Sequence, residues 1–226
     1  MRRLMIATPA GDAGVDLDLA PGASTLLVLG HGAGGSVEAP DLLAVRDACV
    51  SAGISVARVT QPYRVAGKKA PPAAATLDIG WAAVVAALGR RKALATLAFI
   101  FAGRSSGARV ACRAAVDESV SPTATAVVAL AFPVHPPGKP EKSRLGELDA
   151  VRVPVLVVQG DRDPFGMPEP RPEDEQRAVR LVCEVPGDHS LKRNPAQIGE
   201  LVAGWLAVLP PPRPDAPHAL VSGGPG

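Results

Sequence analysis

The apolar positions of this chain fall into short unbroken runs separated by segments of helical period. Residues 25–29 read Thr-Leu-Leu-Val-Leu with no polar alternation and stop at Gly30-His31-Gly32. Such a run predicts a strand buried on both faces, as in a parallel sheet. Similar runs predict strands over 54–59, 97–102, 126–132 and 153–158, and a shorter one over 181–185. Two weaker opening strands, 4–7 and 15–19, flank the turn-like Gly11-Asp12. The spacing of Leu42, Val45, Cys49 and Ala52, stopped by Gly53, predicts a helix over 41–52. Leu77, Trp81, Val84, Val85 and Leu88 predict another over 74–88, and two more follow over 108–116 and 198–209. The segment 61–72, with Pro62 and Gly67, reads as a loop. Strands alternating with helices predict an α/β fold, a mostly parallel sheet with helices on both faces. Ligands of such sheets bind at the carboxyl ends of the strands, so chemistry is expected in the residues that directly follow each strand.

Composition narrows the picture. The 226 residues are 47% apolar but only 3% aromatic, so the core must be built from Ala, Val and Leu. One domain over 1–209 is expected, followed by a disordered Pro/Gly-rich tail over 210–226. The net charge of +2, with no run of five like charges, lacks the footprint of a nucleic-acid binder. Cys49, Cys112 and Cys183 are far apart and odd in number, which fits buried thiols in a reducing compartment rather than disulfides or a zinc site. Arg2 and Arg3 are followed by too few apolar residues for a secretion signal, and the apolar stretch 94–102 is too short to span a bilayer. A cytoplasmic protein without a membrane partner is expected.

The apolar strand over 97–102 runs into Gly103-Arg104-Ser105-Ser106-Gly107, a G-x-S-x-G pattern that is followed by a helix. A serine on a tight strand-to-helix turn sits in strained backbone, and the neighbours two positions away must be nearly bare. The amides that open the helix favour a developing oxyanion, with the Ser106 N–H as one donor. A serine in a Gly-rich turn can also be a simple helix cap. Ser106 lacks the symmetric glycine flanks and is the weaker nucleophile candidate. The second donor is expected in Gly30-His31-Gly32-Ala33-Gly34-Gly35, with Ala33 the first choice and Gly32 or Gly34 the alternatives. That segment has neither a G-x-G-x-x-G frame nor a Walker lysine, so a phosphate-binding loop is disfavoured.

A serine hydroxyl needs a base, and the base needs an orienting carboxylate. On a strand–turn–helix elbow the chain order is Ser, acid, His. Of the four histidines, His218 lies in the tail, and His31 and His135 precede the expected acid. His189, in Pro186-Gly187-Asp188-His189-Ser190, has the right place. The strand over 153–158 leads into Asp161-Arg162-Asp163-Pro164; Asp163 is preferred as the acid, with Asp161 the alternative.

With these residues assembled, the chain resembles the α/β-hydrolase superfamily over nearly all of 24–209. The segments Phe132-Pro133-Val134-His135-Pro136-Pro137-Gly138-Lys139-Pro140 and Pro62-Tyr63-Arg64 make it similar to a narrower branch, the predicted hydrolases related to testis-expressed and nonspecific-lethal-complex subunit proteins. Dienelactone hydrolases resemble it more loosely; those use a cysteine nucleophile, and this chain has Ser105. The resemblance implies a Ser105–Asp163–His189 hydrolase of unsettled small-molecule acyl substrate, an ester or thioester, with no metal or organic cofactor. Some branch members are complex subunits, so a non-catalytic scaffold is the competing reading. Only about 20 residues separate the strand end at Phe132 from Val153, too few for a lid domain. His31, Gly32, Tyr63, Arg64 and His135 are the candidate substrate contacts, with Lys139 near the rim. The opposing reading leaves the rim charges merely solvated, since single surface charges rarely carry function.

Overall fold

The computed structural model describes residues 1–174 and 178–209; the expected disordered tail, with His218, lies outside them. Its strands are β1 (Arg2–Thr8), β2 (Gly11–Asp18), β3 (Thr25–Gly30), β4 (Ser55–Thr60), β5 (Ala98–Arg104), β6 (Ala124–Leu130), β7 (Val155–Gly160) and β8 (Arg180–Val185). They form one sheet in the order β1-β2-β4-β3-β5-β6-β7-β8. The pairs β1–β2 and β2–β4 are antiparallel and all the others parallel. The helices are α1 (Pro40–Ser51), α2 (Pro62–Val65), α3 (Ala74–Gly89), α4 (Ser106–Ala114), α5 (Leu145–Asp149) and α6 (Pro195–Val208).

The unbroken apolar runs are explained by two cores, one on each face. Along β3, Leu26 and Val28 point to one face and Leu27 and Leu29 to the other. The first face joins Phe99, Phe101, Val127 and Val157 to Trp81, Val84 and Val85 of α3 and to α4. Trp81 meets Phe101 edge-on, with ring centroids 6.0 Å apart. The second face joins Ile100, Val128 and Leu156 to Leu42, Val45 and Cys49 of α1 and to Ile198, Val202 and Leu206 of α6. Each of these side chains is worth about 1.5–3 kcal/mol when fully buried, so strands with no polar face are what two covering layers demand.

The alternating β/α order is as expected, and several boundaries move. The first hairpin turns at Pro9-Ala10 rather than at Gly11-Asp12, and Gly11 opens β2 at φ +107°. The expected strand over 126–132 instead covers 124–130, because Ala131 takes φ +46° and leaves the extended path. Its N–H donates to the Val158 carbonyl at 2.8 Å. The loop over 61–72 begins with the single-turn helix α2, opened by Pro62 at its first position. The helix expected over 108–116 starts two residues earlier, at Ser106. Between β6 and β7 there is only the five-residue α5, and no lid.

Helix α6 crosses α1 at Gly199, where an added Cβ would lie 2.5 Å from the Ala44 carbonyl oxygen. Gly204, on the same helix, has open space. Alanine is the better helix former by about 0.8–1.0 kcal/mol, so propensity and packing oppose each other at the first site and not at the second. Gly199→Ala is expected to lower stability by about 1–3 kcal/mol through overpacking. Gly204→Ala is expected to raise it by about 0.5–1 kcal/mol. Urea unfolding of the two variants measures this, and the same sign for both would contradict the packing described.

Candidate active site

The carboxyl ends of β3, β5, β7 and β8 converge on one place. At the end of β5, Ser105 has φ +54° and ψ −111°, a conformation that costs a non-glycine residue about 1–3 kcal/mol. The surrounding backbone imposes it. A Cβ on Gly103 would run into the Gly107 carbonyl, and one on Gly107 would lie 2.7 Å from the Gly30 carbonyl oxygen. The Ser105 N–H donates to Leu130 O at 2.8 Å, tying the turn to β6.

The Ser105 hydroxyl lies 2.8 Å from His189 Nε2, and His189 Nδ1 lies 2.8 Å from Asp163 Oδ2. A carboxylate only accepts, so the ring proton belongs on Nδ1 and the lone pair of Nε2 faces the hydroxyl. Asp163 is 99% buried at its side chain, which is 1% exposed, and it is well supported. Its Oδ1 accepts from the Phe165 N–H and its Oδ2 from Gln159 Nε2, both at 2.9 Å. Gln159 is fully buried, and its Nε2 also lies 3.1 Å from the Phe132 carbonyl and 2.8 Å from the Gly166 carbonyl, so its two amide protons are shared among three acceptors. Phe165 stacks on the His189 ring at 4.0 Å between centroids. Asp161 is not on His189; its Oδ1 accepts from the Gly187 N–H at 2.8 Å and so fastens the His189 loop to the end of β7.

The glycine-rich segment after β3 is braced by side chains. His31 Nδ1 donates to Gly32 O at 2.8 Å, and its Nε2 accepts from the Gln61 N–H at 3.1 Å. The Gly35 N–H also donates to Gly32 O. With that carbonyl held by two donors, the trans peptide turns the Ala33 N–H the opposite way. Tyr63 donates its hydroxyl to Ala33 O at 2.6 Å. Beneath the segment, Arg104 Nε lies 3.5 Å from Asp41 Oδ2, and a Cβ on Gly35 would come 3.0 Å from the guanidinium. Burial raises the Asp41 carboxyl above its ordinary range, against the pull of Arg104. Ser106 is the first residue of α4, whose leading amides have no intrahelical acceptor.

The structure therefore brings Ser105, His189 and Asp163 together, with the Ala33 and Ser106 segments beside them. His31, expected as a substrate contact, is 2% exposed, and both of its ring nitrogens are bonded to backbone. Tyr63 likewise spends its hydroxyl on Ala33, and Gly32 its carbonyl on His31 and Gly35. Arg64 is half-buried, with Nη1 donating to Lys68 O at 3.3 Å. His135 sits against the acid loop, its N–H bonded to Phe165 O and its ring against Gly166. Lys139 is exposed.

The family model described as an alpha/beta hydrolase domain matches residues 23–201. The chain belongs to the α/β-hydrolase family. Solved α/β-hydrolases share its fold. An alpha-beta serine hydrolase homologue from Coxiella burnetii matches with TM-score 0.71 and 18% identity, covering 91% of this chain and 97% of its own. A dienelactone hydrolase from Anabaena variabilis gives TM-score 0.71 and 17% identity over 91% and 96%. A serine hydrolase without lid from Xanthomonas campestris gives 0.66 and 23% over 93% and 96%. No curated protein matches the sequence.

Sequence reasoning about this α/β-hydrolase missed Gln159, Phe165 and the Arg104–Asp41 pair. Gln159 carried a signal, as the polar residue at the end of an otherwise apolar strand. His31 offers a test of the brace. Burial lowers its pKa below the ordinary 6.5. Below that pH the unfolded chain binds a proton that the folded imidazole excludes, so its stabilising contribution is full above 6.5 and is lost as pH falls. The gap in urea midpoint between wild type and His31→Gln should narrow as pH drops through 6.5. A constant gap would show that the ring is not held neutral.

Proposed function

We propose that this α/β-hydrolase is a serine hydrolase that cleaves carboxylic esters or thioesters of a small-molecule acyl substrate through an acyl-enzyme. The observation that carries the reading is the continuous relay from the Ser105 hydroxyl through His189 to Asp163, with both contacts at 2.8 Å. As Oγ attacks the acyl carbon, His189 Nε2 takes the hydroxyl proton, and Asp163 steadies the imidazolium. The N–H groups of Ser106 and Ala33 hold the oxyanion. The tetrahedral centre then collapses, its bond to the leaving oxygen or sulfur breaks, and His189 returns the proton to that atom. Water then attacks the acyl carbon as it gives a proton to His189, the bond from Ser105 Oγ to the acyl carbon breaks, and His189 passes that proton to Oγ as the acid leaves. No step calls for a metal or organic cofactor.

A scaffold would gain nothing from a serine held at φ +54° against its own preference. The segment 132–140 favours the narrower branch related to testis-expressed and nonspecific-lethal-complex subunit proteins. Among the described residues no helix is long and apolar enough to cross a membrane. The free cysteines Cys49, Cys112 and Cys183 suit a reducing cytoplasm, where we place the protein.

A fluorophosphonate probe tests the nucleophile, since only an activated hydroxyl reacts quickly. Peptide mass spectrometry should find the label on Ser105. Labelling should persist in Ser106→Ala and vanish in Ser105→Ala and His189→Ala. A label on Ser106, or none on folded wild type, would overturn the proposal.

A further inference from the structure

A small cavity lies between Gly30 at the end of β3, Trp81 of α3, and Ser106 and Gly107 of α4. Gln61 and Tyr63, from the segment after β4, complete its polar wall. It offers about 10 Å³ to the centre of a water-sized sphere. That is room for one water molecule. It is far below the roughly 300 Å³ at which sites for organic ligands begin. Ser105 does not line it.

Two of the lining residues carry a buried polar atom with no hydrogen-bond partner among the described residues. They are Gln61, with its carbonyl Oε1, and Trp81, with its indole Nε1–H. Gln61 is 6% exposed and Trp81 0%. The other end of the Gln61 amide is fixed, because Nε2 donates to Leu77 O at 3.3 Å. Oε1 is therefore held on the α3 side, where a Cβ on Gly80 would come within 3.2 Å of it. Buried polar groups are almost always bonded, so this pair calls for an occupant. One atom accepts and the other donates. A water serves both, giving a proton to Oε1 and accepting the one on Nε1. The Ser106 hydroxyl, which has no partner among the described residues, and the Tyr63 oxygen, which can still accept, bring the number of possible partners to four. A buried water usually makes about three such bonds. No Asp, Glu, Lys or Arg lines the cavity, so nothing there would balance the charge of an ion.

We infer that this cavity is a binding site for a single water molecule that links Trp81 of α3 to Gln61. The Gln61 backbone N–H holds His31 Nε2, so the water joins α3 to the framework of the glycine-rich segment. It is a fixed part of the protein rather than the water that attacks an acyl-enzyme, since Ser105 is not on its wall. A crystal structure of the wild-type protein should show a water within about 3.2 Å of both Gln61 Oε1 and Trp81 Nε1. In solution, the Trp81 indole proton should give a nuclear Overhauser cross-peak to water in rotating-frame spectra, which separate such a contact from proton exchange. The chain has two tryptophans, so the Trp81 signal is assigned by its loss in Trp81→Phe. Gln61→Leu removes the acceptor and should abolish the cross-peak. A cavity without density in a map that shows other buried waters would overturn the inference. So would a wild-type Trp81 indole with no contact to water, or a cross-peak unchanged in Gln61→Leu.

Discussion

The site depends on how closely three pieces of backbone approach one another. The end of β5, the first turn of α4 and the end of β3 meet at Gly103, Gly107 and Gly30 with no room for a Cβ on the first two. That contact drives Ser105 to φ +54° and sets its hydroxyl beyond the sheet edge rather than back into the core. It also places the opening amides of α4 beside the segment that contains Ala33. The strain is affordable because the strands beneath are buried on both faces, and those two cores hold β3 and β5 in register from Thr25–Ala98 to Gly30–Gly103.

The other parts of the site are supported by polar side chains acting on backbone. Gln159 spans the acid loop by bonding Phe132, Asp163 and Gly166, and Asp161 ties that loop to Gly187. His31 and Tyr63 grip Gly32 and Ala33 from above, and Arg104 packs from below with Asp41 as its counter-charge. These groups hold the His189 imidazole and the backbone around Ala33 in place. In the proposed mechanism that is the preorganisation oxyanion stabilisation needs, since fixed donors require no rearrangement when charge develops.

Much of the fold was legible because a strand covered on both faces has to be an unbroken apolar run. The departures occurred where backbone geometry overrides pattern. Ala131 ends β6 two residues early by taking φ +46°, and alanine gives no warning of it. Helices α2 and α5 are too short to show a period. At the site, motif and chain order singled out the Ser105 turn, the Asp161–Asp163 segment with Asp163 preferred, and His189; both acids follow β7, and the contacts of Gln159 and His189 fall on Asp163. His31 drew notice as a side chain among the bare glycines, and Tyr63 as part of the rim loop; the structure commits the His31 ring and the Tyr63 hydroxyl to the carbonyls of Gly32 and Ala33, since a loop of glycines has few side chains of its own to hold them.

The central claim is that Ser105 and His189 act as one device. The most direct measurement is the kcat of Ser105→Ala, His189→Ala and the double variant on a single ester. Each single change should cost up to about a millionfold, and the double variant should be hardly slower than either, because removing one partner already idles the other. Losses that multiply, or a Ser105→Ala protein that keeps most of its activity, would contradict it.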